Sequence, residues 1–179
     1  TLASRLGSIL QLAERMFGPR DKAYTILGVE LSTEEQPSNW YPDGGKNIII
    51  QLTEACATDE KRALFQLSHE FFHTLSPSGR RGQATYFEEG LAVYFSLQYM
   101  ETVGLRLSRG YVSGAKYQNA YDDVVTLFRL HPETAETIKR LRGEGLTVSS
   151  LTDAQFRSAF PRVPDNLAKA LTAKFYGSK

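Results

Sequence analysis

Two of the chain's three histidines stand in one short stretch, "QLSHEFFHTL", residues 66–75. His69 and His73 are four residues apart. In a helix such residues lie on one face, one turn apart, so both imidazoles can hold a single ion. Glu70 follows His69, about 100° further round the helix, and cannot share the same ligand position. It can reach a water molecule beside the ion, where a general base is needed. This is the physical content of H-E-x-x-H, a zinc helix with its base built in. The competing reading is two half-buried histidines on an amphipathic helix whose core face carries Phe65, Phe71, Phe72 and Leu75.

A catalytic zinc takes three protein ligands and keeps one position for water. His131 directly precedes Pro132 at a helix start and reads as a surface or capping residue. A better source is "YFEEGLAVYFS", residues 86–96, with Glu88 and Glu89. These two are adjacent, so only one can face the ion. The other suits the positive end of a helix dipole.

"HEFFH" followed by "EEGLAVYF" resembles the gluzincin zinc metallopeptidases, the thermolysin-like and aminopeptidase-type enzymes. Their third zinc ligand is a glutamate on a second helix, the one before glycine in an N-E-G-x-x-x-Y phrase. The resemblance covers roughly residues 39–130. It implies Zn2+ held by His69, His73 and Glu89, with Glu88 in the place usually held by asparagine. It also implies a zincin-like α+β fold and peptide-bond hydrolysis by a zinc-activated water, with Glu70 as general base. Two departures stand out. The loop between His73 and Glu89 is short, and the G-x-M-E-N phrase of the aminopeptidases is replaced by "DGGKNIIIQL". Family enzymes often stabilise the oxyanion with a tyrosine that follows the third ligand. The resemblance points to Tyr117, in Tyr117-Gln118-Asn119-Ala120-Tyr121, with Tyr111 and Tyr121 as alternatives. The alternative function is a zincin-like binding or scaffolding module that holds zinc without turnover; the intact Glu70 argues against it.

These residues need elements to position them. Residues 2–17 place apolar side chains at helical spacing, and Gly18-Pro19 stops that helix. Residues 23–31 and 47–52 read as strands, with Pro42-Asp43-Gly44-Gly45 as turn chemistry between them. The two parts are expected to form a hairpin. The three isoleucines of residues 48–50 fit an interior strand or an edge strand that takes up an extended peptide. Helices are expected over 58–75, with Thr58 as N-cap, and over 85–100. Further helices should span 114–130, 132–142, 152–159 and 165–176. The expected division is an N-terminal α/β subdomain, residues 1–100, with a small mixed sheet and the zinc-binding helices, followed by a helical C-terminal subdomain, residues 101–179. Residues 1–20 either join the fold or cover the cleft as a pro-segment.

The bulk composition narrows the partners. Twenty-one basic and twenty acidic residues leave a net charge of +1, which gives no electrostatic reason for a nucleic-acid or membrane-surface partner. Arg80-Arg81 reads as a solvated turn. No apolar run approaches the roughly 18 residues of a membrane span. The lone Cys56 excludes an internal disulfide and reads as a small buried thiol. A chain starting at Thr1 suits a processed N-terminus, so a secreted or periplasmic location is favoured over the cytoplasm. The expected partner is a peptide or protein substrate.

Overall fold

A computed structural model describes residues 2–78 and 82–177; Arg80-Arg81 lies outside the described residues. The fold is α+β, with seven α-helices and one three-stranded mixed sheet among the described residues. Strand β3 (Asn47–Thr53) is the middle of the sheet, between β1 (Thr25–Ser32) and β2 (Ser38–Trp40). Its side chains alternate with period two. Ile48, Ile50 and Leu52 are fully buried, while Ile49, Gln51 and Thr53 are half-buried on the other face.

This topology corrects one expectation and decides between two alternatives. β1 runs parallel to β3, so these two strands do not form a hairpin. β3 is central and therefore offers no edge to a peptide. The hairpin is made by β2 instead, which is antiparallel to β3 and joined to it through a 3-10 turn at Pro42–Gly44. Gly44 there has φ of 60°, which glycine adopts without steric cost. β2 holds only three residues, too few to show a period-two pattern in the sequence.

The chain forms two compact units. One comprises Thr1–Arg15, Pro19–Arg81 and Phe95–Leu107. Its core joins the sheet to helix α1 (Leu2–Phe17) and helix α2 (Glu60–His73), with the later part of helix α3 (Tyr86–Thr102). α1 belongs to this core: Ile9, Leu12 and Ala13 are buried, and the Ser8 hydroxyl bonds that of Tyr99 at 3.0 Å. Phe72 of α2 packs on Phe95 of α3, with ring centroids 6.0 Å apart.

The second unit comprises Met16–Gly18, Gly82–Tyr94 and Ser108–Lys179. It contains the start of α3 and helices α4 (Ala115–Leu130), α5 (Thr134–Gly143), α6 (Asp153–Ala159) and α7 (Asp165–Thr172). Phe87, Phe156 and Phe160 form its aromatic centre, with centroids 4.9–6.0 Å apart. Arg142 donates to the carbonyls of Phe17 and Gly18, a cation placed where the dipole of α1 is negative. None of the described helices is long and apolar enough to cross a membrane.

From Phe87 to Met100 every residue of α3 is buried except Tyr94 and Gln98, which are half-buried. A helix buried on all sides has no polar stripe. It leaves one clear steric demand, at Gly90. A Cβ there would press on the Ala120 carbonyl oxygen, lie 2.8 Å from the Ala120 carbonyl carbon and sit 2.7 Å from Val124 Cγ2. Glycine thus lets α3 and α4 approach backbone to backbone. The two helices run in the same direction here. Lys116 lies over Tyr86, Ala120 meets Gly90, and Phe128 stacks on Tyr94 at 4.5 Å. Gly90→Ala should therefore lower unfolding stability by about 1–3 kcal/mol, the usual cost of overpacking. Denaturant unfolding of the variant checks this; an unchanged midpoint would show that the helices separate freely.

Candidate metal centre

The geometry starts from the two ends of α2. At its N-terminus the cap is Asp59, not Thr58 as expected, and its carboxylate accepts from the Arg62 N–H at 3.0 Å. Asp59 also brings negative charge to the positive end of the dipole. At the C-terminus the last turn tightens. The Thr74 N–H bonds the Phe71 carbonyl at 2.9 Å, and the Leu75 N–H bonds that of Phe72 at 3.0 Å. In a regular helix Thr74 would instead serve Glu70. The Glu70 carbonyl takes a donor from the sheet, with Asn39 Nδ2 of β2 at 2.9 Å. The helix that carries the H-E-x-x-H residues is therefore fixed to β2 at the residue expected to be the base.

His69 and His73 face the same side of α2. Their rings are 5.2 Å apart between centroids and their Nε2 atoms 3.4 Å apart. A tetrahedral zinc with Zn–N of about 2.0–2.1 Å separates two ligand nitrogens by about 3.3 Å. The imidazole pair already has the spacing such an ion requires. Each of His69, His73 and Glu89 offers a ligand atom within 4.8 Å of the other two. Two imidazoles and one carboxylate are a common zinc donor set, so the residues present fit the ion.

Glu89 sits in the first turn of α3 and is only 2 % exposed. Thr85 caps this turn: its carbonyl accepts from the Glu89 N–H at 3.1 Å and its hydroxyl from the Glu88 N–H at 3.3 Å. Glu88 is also buried but lies outside the three-residue group. Glu70 is 6 % exposed.

The other chemistry-bearing residues fall elsewhere. His131 is buried rather than on the surface and has a capping role. Its Nε2 accepts from the Arg162 N–H at 3.1 Å, and its carbonyl accepts from Thr134. Cys56 is a buried free thiol that bonds Gln66 at 3.1 Å, and burial pushes its pKa up. Tyr111 ends a 3-10 turn, and Tyr117 and Tyr121 lie on α4. The Tyr117 hydroxyl is 2.9 Å from that of Tyr176, and its ring packs on Phe175. Burial, then the Asp122 carboxylate, raise the Tyr121 phenol.

Asn39 is the residue that reading the sequence missed. Its signal was weak: a single polar residue on what proves to be the buried face of a three-residue strand.

No family model matches the chain, and no significant match to it is found among curated proteins or solved structures.

Two outcomes are expected from this geometry. His69→Ala, His73→Ala and Glu89→Ala should each sharply weaken zinc binding, because each leaves two ligands in place of three. Glu88→Ala should change it far less. Titration with zinc and a competing chelator measures all four; loss of binding in Glu88→Ala with retention in Glu89→Ala would reverse the choice of glutamate. The second outcome concerns α4. Burial, then the neighbouring Asp122, raise the Asp123 carboxyl. A raised folded-state pKa means that stability falls as pH climbs from the unfolded value of about 3.9 through the folded one. Asp123→Asn should thus melt higher than the parent at pH 7 and alike near pH 4. Equal melting temperatures at pH 7 would remove the effect.

Proposed function

We propose that the chain is a zinc-dependent metallopeptidase of gluzincin type, built on a zincin-like fold. The observation that carries this reading is the grouping of His69, His73 and Glu89 within 4.8 Å, with Glu70 next to the first ligand on the same helix. A structural zinc site is normally closed by four protein ligands, whereas three leave a position for chemistry. Zinc, when bound, supplies a Lewis acid and a water of lowered pKa.

The chain's own residues do the rest. Glu70 takes a proton from the attacking water and delivers it to the leaving amine. Its placement needs α2 held in register, which the Asn39 bond to its carbonyl favours. A tyrosine hydroxyl donates to the developing oxyanion. Tyr117 remains the assigned donor, with Tyr111 and Tyr121 as alternatives, and its hydroxyl must exchange Tyr176 for substrate. The substrate is a peptide or protein.

The test is Glu70→Gln, which keeps the shape of the residue and removes the base. The variant should retain zinc near one ion per chain and lose peptide hydrolysis by about 10²–10⁴-fold. Hydrolysis by zinc-depleted protein, or full activity in Glu70→Gln, would overturn the mechanism. Zinc binding with no hydrolysis in the parent would favour the non-catalytic module.

A further inference from the structure

The first N–H groups of a helix have no partner within it. Glu89, the third ligand assigned above, stands in the first turn of α3. That turn is held from outside the helix. Thr85 pairs with Lys174 in an antiparallel bridge. The Tyr86 N–H bonds the Ala173 carbonyl at 3.0 Å, and the Phe175 N–H bonds the Ala84 carbonyl at 2.9 Å. Lys174 Nζ donates to the Gln83 carbonyl at 2.8 Å. Thr85 is the residue on which the turn closes, since it accepts from the N–H groups of both Glu88 and Glu89.

Within Lys174–Tyr176 one side chain is an anchor. Phe175 is 1 % exposed, while Lys174 and Tyr176 on either side of it are exposed. Its ring meets Tyr86 at 4.9 Å and Tyr117 at 4.7 Å between centroids. Lys116 of α4 completes the group. Its ammonium lies 4.5 Å from the Phe175 centroid and 5.6 Å from that of Tyr86, and it donates to the Phe175 carbonyl. A cation over an aromatic face is attracted by the ring quadrupole. One ammonium thus holds both the ring and the backbone of Phe175 and lies over the first residue of α3. Neither Lys116 nor Phe175 has a part in the hydrolysis proposed above.

We propose that Phe175 and Lys116 are positioning residues for the metal site, holding Glu89 in its ligating place through the Thr85–Tyr86 backbone. This rests on the metal ligands assigned above. A ligand has to be kept within about 0.5 Å of its working position by neighbours that are themselves fixed. The two imidazoles share one helix, which sets their spacing. The carboxylate comes from the start of another helix, and the clamp supplies the hold that this start lacks. Groups that orient a ligand without touching the ion change metal affinity by about tenfold to a hundredfold. The sign of the effect separates position from charge. A nearby cation repels Zn2+, so removing the Lys116 charge alone would tighten zinc binding. Loss of the clamp weakens it.

The test is the zinc affinity of the full chain, measured by competition with a chromophoric chelator. Lys116→Met keeps the apolar body of the side chain and removes the charge. It should bind zinc about tenfold to a hundredfold more weakly than the parent, with an unchanged far-ultraviolet spectrum. Phe175→Leu keeps the buried site filled and removes the ring beneath the cation, and it should do the same. In a Glu89→Ala background neither substitution should weaken zinc further, because the residue they position is gone. A merely structural role would lower the melting temperature and leave these affinities alone.

Unchanged or tighter zinc binding in either variant, once folded, would overturn the inference. So would an equal loss with and without Glu89. A parent that binds no zinc, or one that Glu89→Ala does not weaken, would remove the metal ligands themselves and this inference with them. Failure of the clamp alone shows differently: Glu89→Ala loses affinity while Lys116→Met matches the parent.

Discussion

Removing a carboxylate from water is costly unless it finds a cation, a metal or hydrogen-bond donors. The chain buries three carboxylates, Glu70, Glu88 and Glu89. The backbone around them is arranged to hold these groups in place. α2 is capped by a carboxylate at one end and tightened at the other, and β2 lends it a side-chain amide. α3 is capped by Thr85 and buried over most of its length.

The helical part of this arrangement was legible. The apolar spacing of residues 2–17, the i,i+4 histidines and the two glutamates before Gly90 are local patterns, and local patterns survive folding unchanged. Thr58 and Asp59 are both good caps; the one chosen depends on where the first turn closes, which neighbours on the sequence do not reveal.

Sheet order is another matter. β1 and β3 are parallel, and the chain fills the middle place of the sheet last. The turn chemistry at Pro42–Gly44 was readable, but the three residues before it, Ser38–Trp40, carried no periodic signal. The role of Gly90 was also hidden. Its φ is ordinary for a helix, and only the Ala120 backbone opposite makes a side chain intolerable. The tyrosines of 111–121 present the same difficulty, since three similar side chains within eleven positions differ only in what they meet in three dimensions.

The start of α3 is closed by a segment far away in the chain. The Tyr86 N–H bonds the Ala173 carbonyl, the Phe175 N–H bonds that of Ala84, and Thr85 pairs with Lys174. The two imidazoles, by contrast, are separated by a single turn of one helix. Contacts between distant residues form later and more slowly than local ones, because a long loop must close first. The imidazole pair can therefore exist as soon as α2 does, while the carboxylate waits for a clamp roughly ninety residues downstream. During synthesis, the pairing of the two imidazoles is therefore settled early, and the position of Glu89 only once residues 173–175 have arrived.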